Sequence, residues 1–441
     1  MSRRRRSPAG DRTETTGGGR KHAAGTSFLE TYNDEKHQVV HNAAASAFSA
    51  AGGSRANFAV ERRFRCSSFG FSGSWRSTLA EIFLPKGFPS SVTPDYVEYQ
   101  TWDTVQAFAS SLSGTFATAA VLKGAGVGDE TATVLAASLS WVLKDGVGMI
   151  GRILFAWIFG TALDADSKRW RLIADILNDL AFCIDLTCSH TERHFFMATV
   201  CCSSLMRAIV GVAGGGTRMA VVRHQARREN LADVAAKDGS QETLVGIVSL
   251  LTSLVLLPLF DSNPMGVWAM FAALTAVHLG ANYAAVCSLQ FDIFNESRLR
   301  IVARELIETG RLLDVREANR REPLIPGGRC TRRFGCSLLA LNECTKRGFF
   351  CDADGRIRAQ LGWRLEADGR DFGVLIRRRG ATAEDVLLAA FQLEFLILHS
   401  KFPNAHEPPD TSELDAKLAA AGWNTSAHLL PLDEFAYEEN S

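Results

Sequence analysis

Apolar residues are gathered into long blocks along this chain rather than scattered. Residues 104–122 are small and apolar, running from Thr104 through Phe108 and Phe116 to Leu122. Residues 131–163 are apolar apart from Lys144, Asp145 and Arg152, and residues 194–216 carry Arg207 as their one formal charge. Residues 244–290 are the clearest block, with Asp261 the sole charge in 47 positions. Asp261-Ser262-Asn263-Pro264 divides it into a 17-residue run, Leu244 to Phe260, and a 26-residue run, Met265 to Gln290. A helix rises about 1.5 Å per residue, so about 20 apolar residues cross a bilayer core. Two such runs joined by a tight turn predict a transmembrane helical hairpin. The alternative is a hairpin buried inside a soluble helical protein. Soluble helices normally keep a polar face, which favours the membrane.

Residues 168–186 have another rhythm. Trp170, Ile173, Leu177, Leu180 and Ile184 recur at helical spacing, with Arg171, Asp175 and Asp179 on the other side. That is an amphipathic helix, suited to a membrane surface or to packing on a bundle. Basic residues flank the hairpin, at Arg218, Arg223, Arg227, Arg228 and Lys237 before it and Arg298, Arg300 and Arg304 after it. Both outer ends of the hairpin are therefore expected on the cytoplasmic side or its equivalent.

From about residue 330 the pattern becomes that of a small α/β unit. Phe349 to Leu361 reads as strand, turn and strand around Asp354-Gly355, Phe372 to Arg379 as a strand, and Ala383 to His399 as a helix capped by Thr382. Pro323 and Pro326-Gly327-Gly328 punctuate the approach. The expected organisation is a basic disordered tail at 1–58, a helical membrane domain at 59–310, a linker at 311–329, an α/β domain at 330–403 and an acidic tail at 404–441. The fold class is mainly α, a polytopic helical membrane domain with a small C-terminal α/β domain.

Charge sharpens this picture at the ends. The whole chain is formally neutral, with 48 Lys plus Arg against 48 Asp plus Glu. Residues 1–65 nevertheless hold 12 Lys/Arg against six Asp/Glu, and residues 407–441 hold eight acids against Lys417. A neutral total excludes a globally basic nucleic-acid binder, and 46% hydrophobic residues exclude a wholly disordered chain. The acids in the N-terminal segment, from Asp11 to Glu35, argue against a transit peptide, so plastid residence has no clear signal.

Catalytic signatures are absent. There is no phosphate loop, His-Glu-x-x-His or Gly-x-Ser-x-Gly, and an enzyme is not expected. Gly124-Ala125-Gly126-Val127-Gly128 follows a helical run and predicts packing or a helix break rather than a dinucleotide loop. Cys330, Cys336, Cys344 and Cys351 lack paired zinc spacing and read as ordinary thiols, so no metal is expected. Polar residues within the apolar runs carry more. Thr275, His278 and Asn282 share one helix face, as do Ser203 and Arg207. Each set fits either a polar pathway or interhelical hydrogen bonding. Gly211, Gly214 and Gly215 permit close helix approach, or a helix break that frees amides for an anion, with Arg218 beside them. Lys-Asp-Gly occurs at Lys144 and again at Lys237, each time ahead of a glycine-bearing apolar run. This is either a trace of internal duplication or chance.

Longer words then become legible: Pro94-Asp95-Tyr96 with Trp102-Asp103; Trp141 to Gly146 with Gly148 to Arg152; Asp166 to Arg171 with Ala174 to Asp179. Further along come Val210 to Gly215 with Thr217-Arg218, His224 to Arg228, Ala236 to Thr243, and His278-Leu279 with Ala281 to Tyr283. In these stretches, over roughly residues 75–300, the chain resembles the root UV-B sensitive (RUS) family. The resemblance implies a membrane protein linked to UV-B responses, development, auxin transport and vitamin B6 homeostasis, with no catalytic residues to carry over. The expected role is small-molecule binding or transport, or scaffolding, with a soluble or peripheral adaptor as the alternative. The expected partners are the lipid bilayer and another RUS family protein. Cofactors are not expected. The candidate ligand-binding residues are Lys144, Arg207, Gly211, Gly214, Gly215, Arg218, Lys237, His278 and Asn282, and pyridoxal phosphate is the candidate ligand of a Gly211–Gly216 cradle beside Arg218.

Overall fold

The computed structural model describes residues 26–32, 35–41, 75–125, 134–260, 263–324, 331–334, 345–351, 357–363, 371–377, 381–399 and 411–432. Two units are present, residues 1–73 and 74–441. In the first, strands β1 (Thr26–Tyr32) and β2 (Glu35–His41) form an antiparallel hairpin. The sequence predicts disorder there. The rest of the expected tail lies outside the described residues.

The second unit begins with α1 (Trp75–Phe83), followed by six long helices. These are α2 (Tyr96–Gly124), α3 (Val134–Ala165), α4 (Ser167–Thr187), α5 (Arg193–Gln225), α6 (Leu231–Phe260) and α7 (Pro264–Ser288). Five of them, all but α4, are long and apolar enough to cross a membrane. Their outward faces are strongly apolar, with Ile153, Trp157, Leu254, Leu259 and Met265 each exposed. The hairpin α6–α7 is therefore not sealed in the protein's own core. The interior is where polar groups collect: Gln106, Asp179, Asp185, Asp238, His278 and Asn282 are buried. An apolar exterior around a polar interior suits lipid as the surrounding solvent.

Local signals set the helix ends. Asn263 accepts a hydrogen bond from Gly266 N at 2.9 Å, and Pro264 opens α7 where its missing N–H is not needed. Pro258 falls in the last turn of α6, which stays helical to Phe260. Gly124 ends α2 where a Cβ would lie 2.5 Å from Cys188 O, so close packing explains it; residues 126–128 lie outside the described residues.

The six helices alternate in direction and form two opposed sets of three. Gln106 meets His278 and Phe116 shares a cluster with Phe271, so α2 runs antiparallel to α7. Asp185 meets Arg207 and Ala174 shares a cluster with Ala213, so α4 runs antiparallel to α5 in the same way. Lys144 meets Ser204 and Leu163 backs Gly216, so α3 lies parallel to α5. Gln100 meets Asp238 and Phe116 meets Phe260, so α6 lies parallel to α2. Exchanging α2, α3, α4 for α5, α6, α7 reproduces these pairings with reversed direction. The two Lys-Asp-Gly copies lie early in α3 and α6, the helices that correspond. We call the end where α2 begins and α7 finishes the near end, and the opposite one the far end.

At the near end the chain enters a second core. It is built from β3 (Ile293–Phe294), α8 (Glu296–Thr309), α9 (Val315–Arg321), α10 (Ala383–His399), α11 (Thr411–Ala420) and β8 (Asn424–His428). Strands β4 (Thr331–Phe334), β5 (Thr345–Cys351), β6 (Ile357–Trp363) and β7 (Asp371–Arg377) form a sheet in the order β4-β7-β6-β5, with β4–β7 parallel and the other pairs antiparallel. Thr382 caps α10 by accepting from Asp385 N at 3.2 Å. The core is wider than the sequence boundaries. Helix α8 belongs to it, α9 occupies the expected linker, and within the expected acidic tail β8 pairs in parallel with β3. Phe294 stacks on Trp423 at 4.0 Å, a contact between residues too distant in sequence for local pattern to reveal. Asp354-Gly355, residues 325–330, Cys330, Cys336, Cys344 and the last nine residues lie outside the described residues.

Candidate functional site

The polar face of α4 turns inward, between α2 and α7. Arg171, Asp175 and Asp179 recur every four residues, as do His278 and Asn282 on the antiparallel α7, so the two stripes meet rung by rung. Asn282 Nδ2 donates to Asp175 Oδ2. His278 Nδ1 lies 2.8 Å and 2.9 Å from the two carboxylate oxygens of Asp179. His278 Nε2 lies 3.0 Å from Gln106 Oε1 and 3.9 Å from Asp175 Oδ2. Gln106 Nε2 donates to Asp103 Oδ1 at 3.1 Å, and Arg171 donates to the same oxygen. The Arg171 guanidinium also lies over the Tyr99 ring, 5.7 Å from its centre.

Asp103, Gln106 and Arg171 border a cavity of about 260 Å³ near the near end. Gln100 of α2, Gly211, Gly214, Gly215 and Arg218 of α5, and Asp238 and Glu242 of α6 also line it. Arg218 Nε donates to Asp238 Oδ2 at 2.6 Å, and its Nη1 to Glu242 Oε2 at 2.5 Å. Gln100 Nε2 donates to the other Asp238 oxygen at 3.1 Å. Nothing lies within 4 Å of where a Cβ would sit on Gly211, Gly214 or Gly215. The space above these three glycines is cavity, not a closely approaching helix. Helix α5 is continuous through them, so their N–H groups stay in helical bonds and form no anion nest. Both arginines are committed to carboxylates. Asp103, Asp238 and Glu242 therefore leave the wall one negative charge in excess over Arg171 and Arg218.

The nine residues singled out in the sequence separate into four places. Gly211, Gly214, Gly215 and Arg218 share the cavity wall, and His278 and Asn282 stand one layer behind it. Arg207 lies toward the far end, where it pairs with Asp185 and covers the Phe182 ring. Lys144 is near it, its carbonyl accepting from Ser204 Oγ at 2.9 Å and its ammonium over the Trp141 ring. Lys237 points away from all of these, its Nζ 2.5 Å from Glu81 O, and secures α1. The sequence did not single out Gln100, Asp103, Gln106, Asp238 or Glu242 as site residues. The available signal was the matching four-residue spacing on α4 and α7, which asks for further polar partners on the neighbouring helices.

A second polar cluster fastens the bundle to the C-terminal body. Lys168 Nζ lies 2.9 Å from Asn319 Oδ1 and 3.4 Å from Glu322 Oε2, and Glu322 also takes Arg298 at 3.0 Å and Asn295 at 2.7 Å. Burial pulls the Lys168 ammonium down to about 8, against the pull of Glu322. Burial tends to raise the Glu322 carboxyl, but Arg298 and Lys168 outweigh it and hold it below the usual range.

With the geometry in place, comparison with known proteins is informative. Residues 72–310 match the family model described as the vitamin B6 photo-protection and homoeostasis domain, which is more than half of the chain. The chain belongs to the RUS family. This RUS-family chain is 45% identical over 228 residues to RUS family member 1 of Dictyostelium discoideum, covering 51% of the chain and 43% of that protein. It is 40% identical over 256 residues to protein root UVB sensitive 3 of Arabidopsis thaliana, covering 58% of each. Protein root UVB sensitive 6 of the same plant is 29% identical over 366 residues, covering 80% of the chain and 70% of that protein. The first two matches span 43% and 58% of the relatives' own lengths. No solved structure matches. The matched region contains all six bundle helices and every residue of the cavity wall.

Proposed function

We propose that this RUS-family protein is a membrane protein that binds a small cationic or zwitterionic solute in the α2–α4–α5–α6 cavity and moves it across the bilayer. The solute class we infer is an unphosphorylated vitamin B6 compound, bearing an ammonium or pyridinium group. The observation that carries the reading is the cavity lined by charged side chains, with its excess carboxylate, inside a bundle whose exterior is apolar. Its volume lies below the roughly 300–1,000 Å³ of drug-sized pockets, which suits a small solute. Opposed three-helix sets with a polar site between them are the architecture on which many secondary transporters are built. The vitamin class is supported by the family's description. Pyridoxal phosphate fits less well, because its phosphate would meet Asp103, Asp238 and Glu242 with both arginines already paired. The near end, which carries Arg223, Arg227, Arg228 and Lys237, faces the cytoplasm or an equivalent interior in this reading.

Counterflow into liposomes containing the purified protein tests it. Vesicles preloaded with unlabelled pyridoxamine should accumulate labelled pyridoxamine, and Asp238→Asn should reduce the initial rate at least tenfold. Equal uptake by empty liposomes would refute transport. Stronger competition by pyridoxal phosphate than by pyridoxamine would refute the charge assignment.

A further inference from the structure

His278 has no exposed surface, and in this solute-free arrangement its partners select one protonation state. Asp179 presents only acceptors to Nδ1. Gln106 spends its amide nitrogen on Asp103, so its oxygen faces Nε2. A neutral imidazole has one N–H and would set a lone pair against an oxygen. Both nitrogens therefore donate, and the ring is an imidazolium. The charged groups around it are Arg171, Asp175 and Asp179 from α4, and Asp103 with Tyr99 from α2. Across the cavity stand Asp238 and Glu242 from α6 and Arg218 from α5. With the proton on His278 this interior is two negative charges in excess, and without it three. Beside it the buried Asn282 Oδ1 has no partner.

We propose that His278 is a proton-binding site that gives up its proton when the cavity takes a cationic solute. This rests on the cavity reading above and adds its coupling ion. The two cations compete for one deficit of charge, so each lowers the affinity for the other. When the solute cation settles between Asp103 and Asp238, the Nε2–H bond breaks and its electron pair stays on the ring nitrogen. The proton passes to Asp175 Oδ2, 3.9 Å away on a side chain that is 18% exposed, and from there to a solvent base. His278 remains as the neutral tautomer, with Nδ1–H held by Asp179 and Nε2 accepting from Gln106 once that amide turns over. One positive charge enters and one leaves, which is the balance of a proton–cation exchange.

The test uses full-length protein in detergent micelles, with pyridoxamine as the probe and a pH indicator in weak buffer. Wild type is expected to release close to one proton per probe bound, and its affinity to rise about tenfold per pH unit where His278 is protonated. His278→Gln should bind the probe without releasing protons and with a flat pH profile. If that variant fails to fold, ¹⁵N-histidine spectra of wild type serve instead. They should show one imidazolium at neutral pH that becomes a neutral ring when the probe saturates. Binding by wild type with no proton release and an unchanged imidazolium would overturn the coupling and leave the cavity reading intact. No binding by wild type at any pH would overturn the cavity reading, and the coupling with it.

Discussion

Glu322→Gln keeps the shape of the side chain and removes its charge at the junction of α4 with the C-terminal body. In the native protein Glu322 faces Lys168 and Arg298, whose side chains are 3% and 2% exposed. The substitution leaves two buried cations with only neutral acceptors, Asn319 Oδ1 and Ile293 O, at 2.9 Å each. Removing one partner of a buried pair costs about 3–5 kcal/mol, and that loss is expected at neutral pH. The pH dependence follows from Lys168. Its folded value, about 8, is below its ordinary 10.5, so the bound proton opposes folding. That opposition is fully present below about 8 and fades as pH rises toward 10.5, where both states are neutral. The gap between wild type and variant should therefore narrow at alkaline pH, leaving the part due to Arg298. Glu322 works in the opposite sense. Its lowered value adds stability above the ordinary 4.5 that wild type loses as pH falls below it, and the variant has none of this to lose. Denaturant unfolding in detergent, followed by intrinsic tryptophan fluorescence, to which Trp423 on Phe294 contributes, measures these differences. Adding Lys168→Met to Glu322→Gln should recover part of the loss. A cost below about 1 kcal/mol at neutral pH would refute the claim that this cluster depends on buried charge compensation.

Four further outcomes are expected. Gly124→Ala brings a Cβ within 2.5 Å of Cys188 O, a backbone atom that cannot swing aside, and should cost about 1–3 kcal/mol of stability. Gly214→Ala meets nothing and gains up to about 1 kcal/mol of helix propensity, yet it narrows the cavity and should weaken pyridoxamine binding in the same preparation. Asn263→Ala removes the cap of α7 and should lower stability by about 1 kcal/mol in detergent unfolding. Alkaline carbonate extraction should leave the protein in the membrane pellet, and release into the supernatant would contradict the apolar exterior as a lipid contact.

Much of the bundle is legible in the sequence, because charge-poor runs have few other uses. The hairpin at 244–290, the helix through Arg207 and Gly215 and the strands after 345 follow from local pattern alone. The orientation of α4 does not. Amphipathicity states that Arg171, Asp175 and Asp179 share a face, but a lipid environment reverses which face is interior, and only the partners on α2 and α7 decide it. The cavity glycines show the same limit. Their spacing suits close packing equally well, and the space above Gly211, Gly214 and Gly215 depends on where α2 and α6 stand. Strand β8 escapes a local reading because its partner, β3, is two residues long and more than a hundred positions earlier.

The exchange of partners between the two helical sets also bears on how the chain is made. On the membrane reading proposed above, helix α2 carries Asp103 and Gln106 into the bilayer, but Gln106 meets His278 only 172 residues later. At about 5–20 residues per second that interval lasts roughly 10–30 s. Asp103 waits for Arg171 of α4 and Asp179 of α4 for His278 of α7, so each carboxylate lies in or beside lipid before its partner is made. The nascent chain must be sheltered from the hydrocarbon until α7 arrives, by the insertion machinery or by a second protein. A ribosome stalled before residue 264 would present Asp179 without its imidazole partner to any quality-control factor able to recognise an uncompensated charge in a membrane.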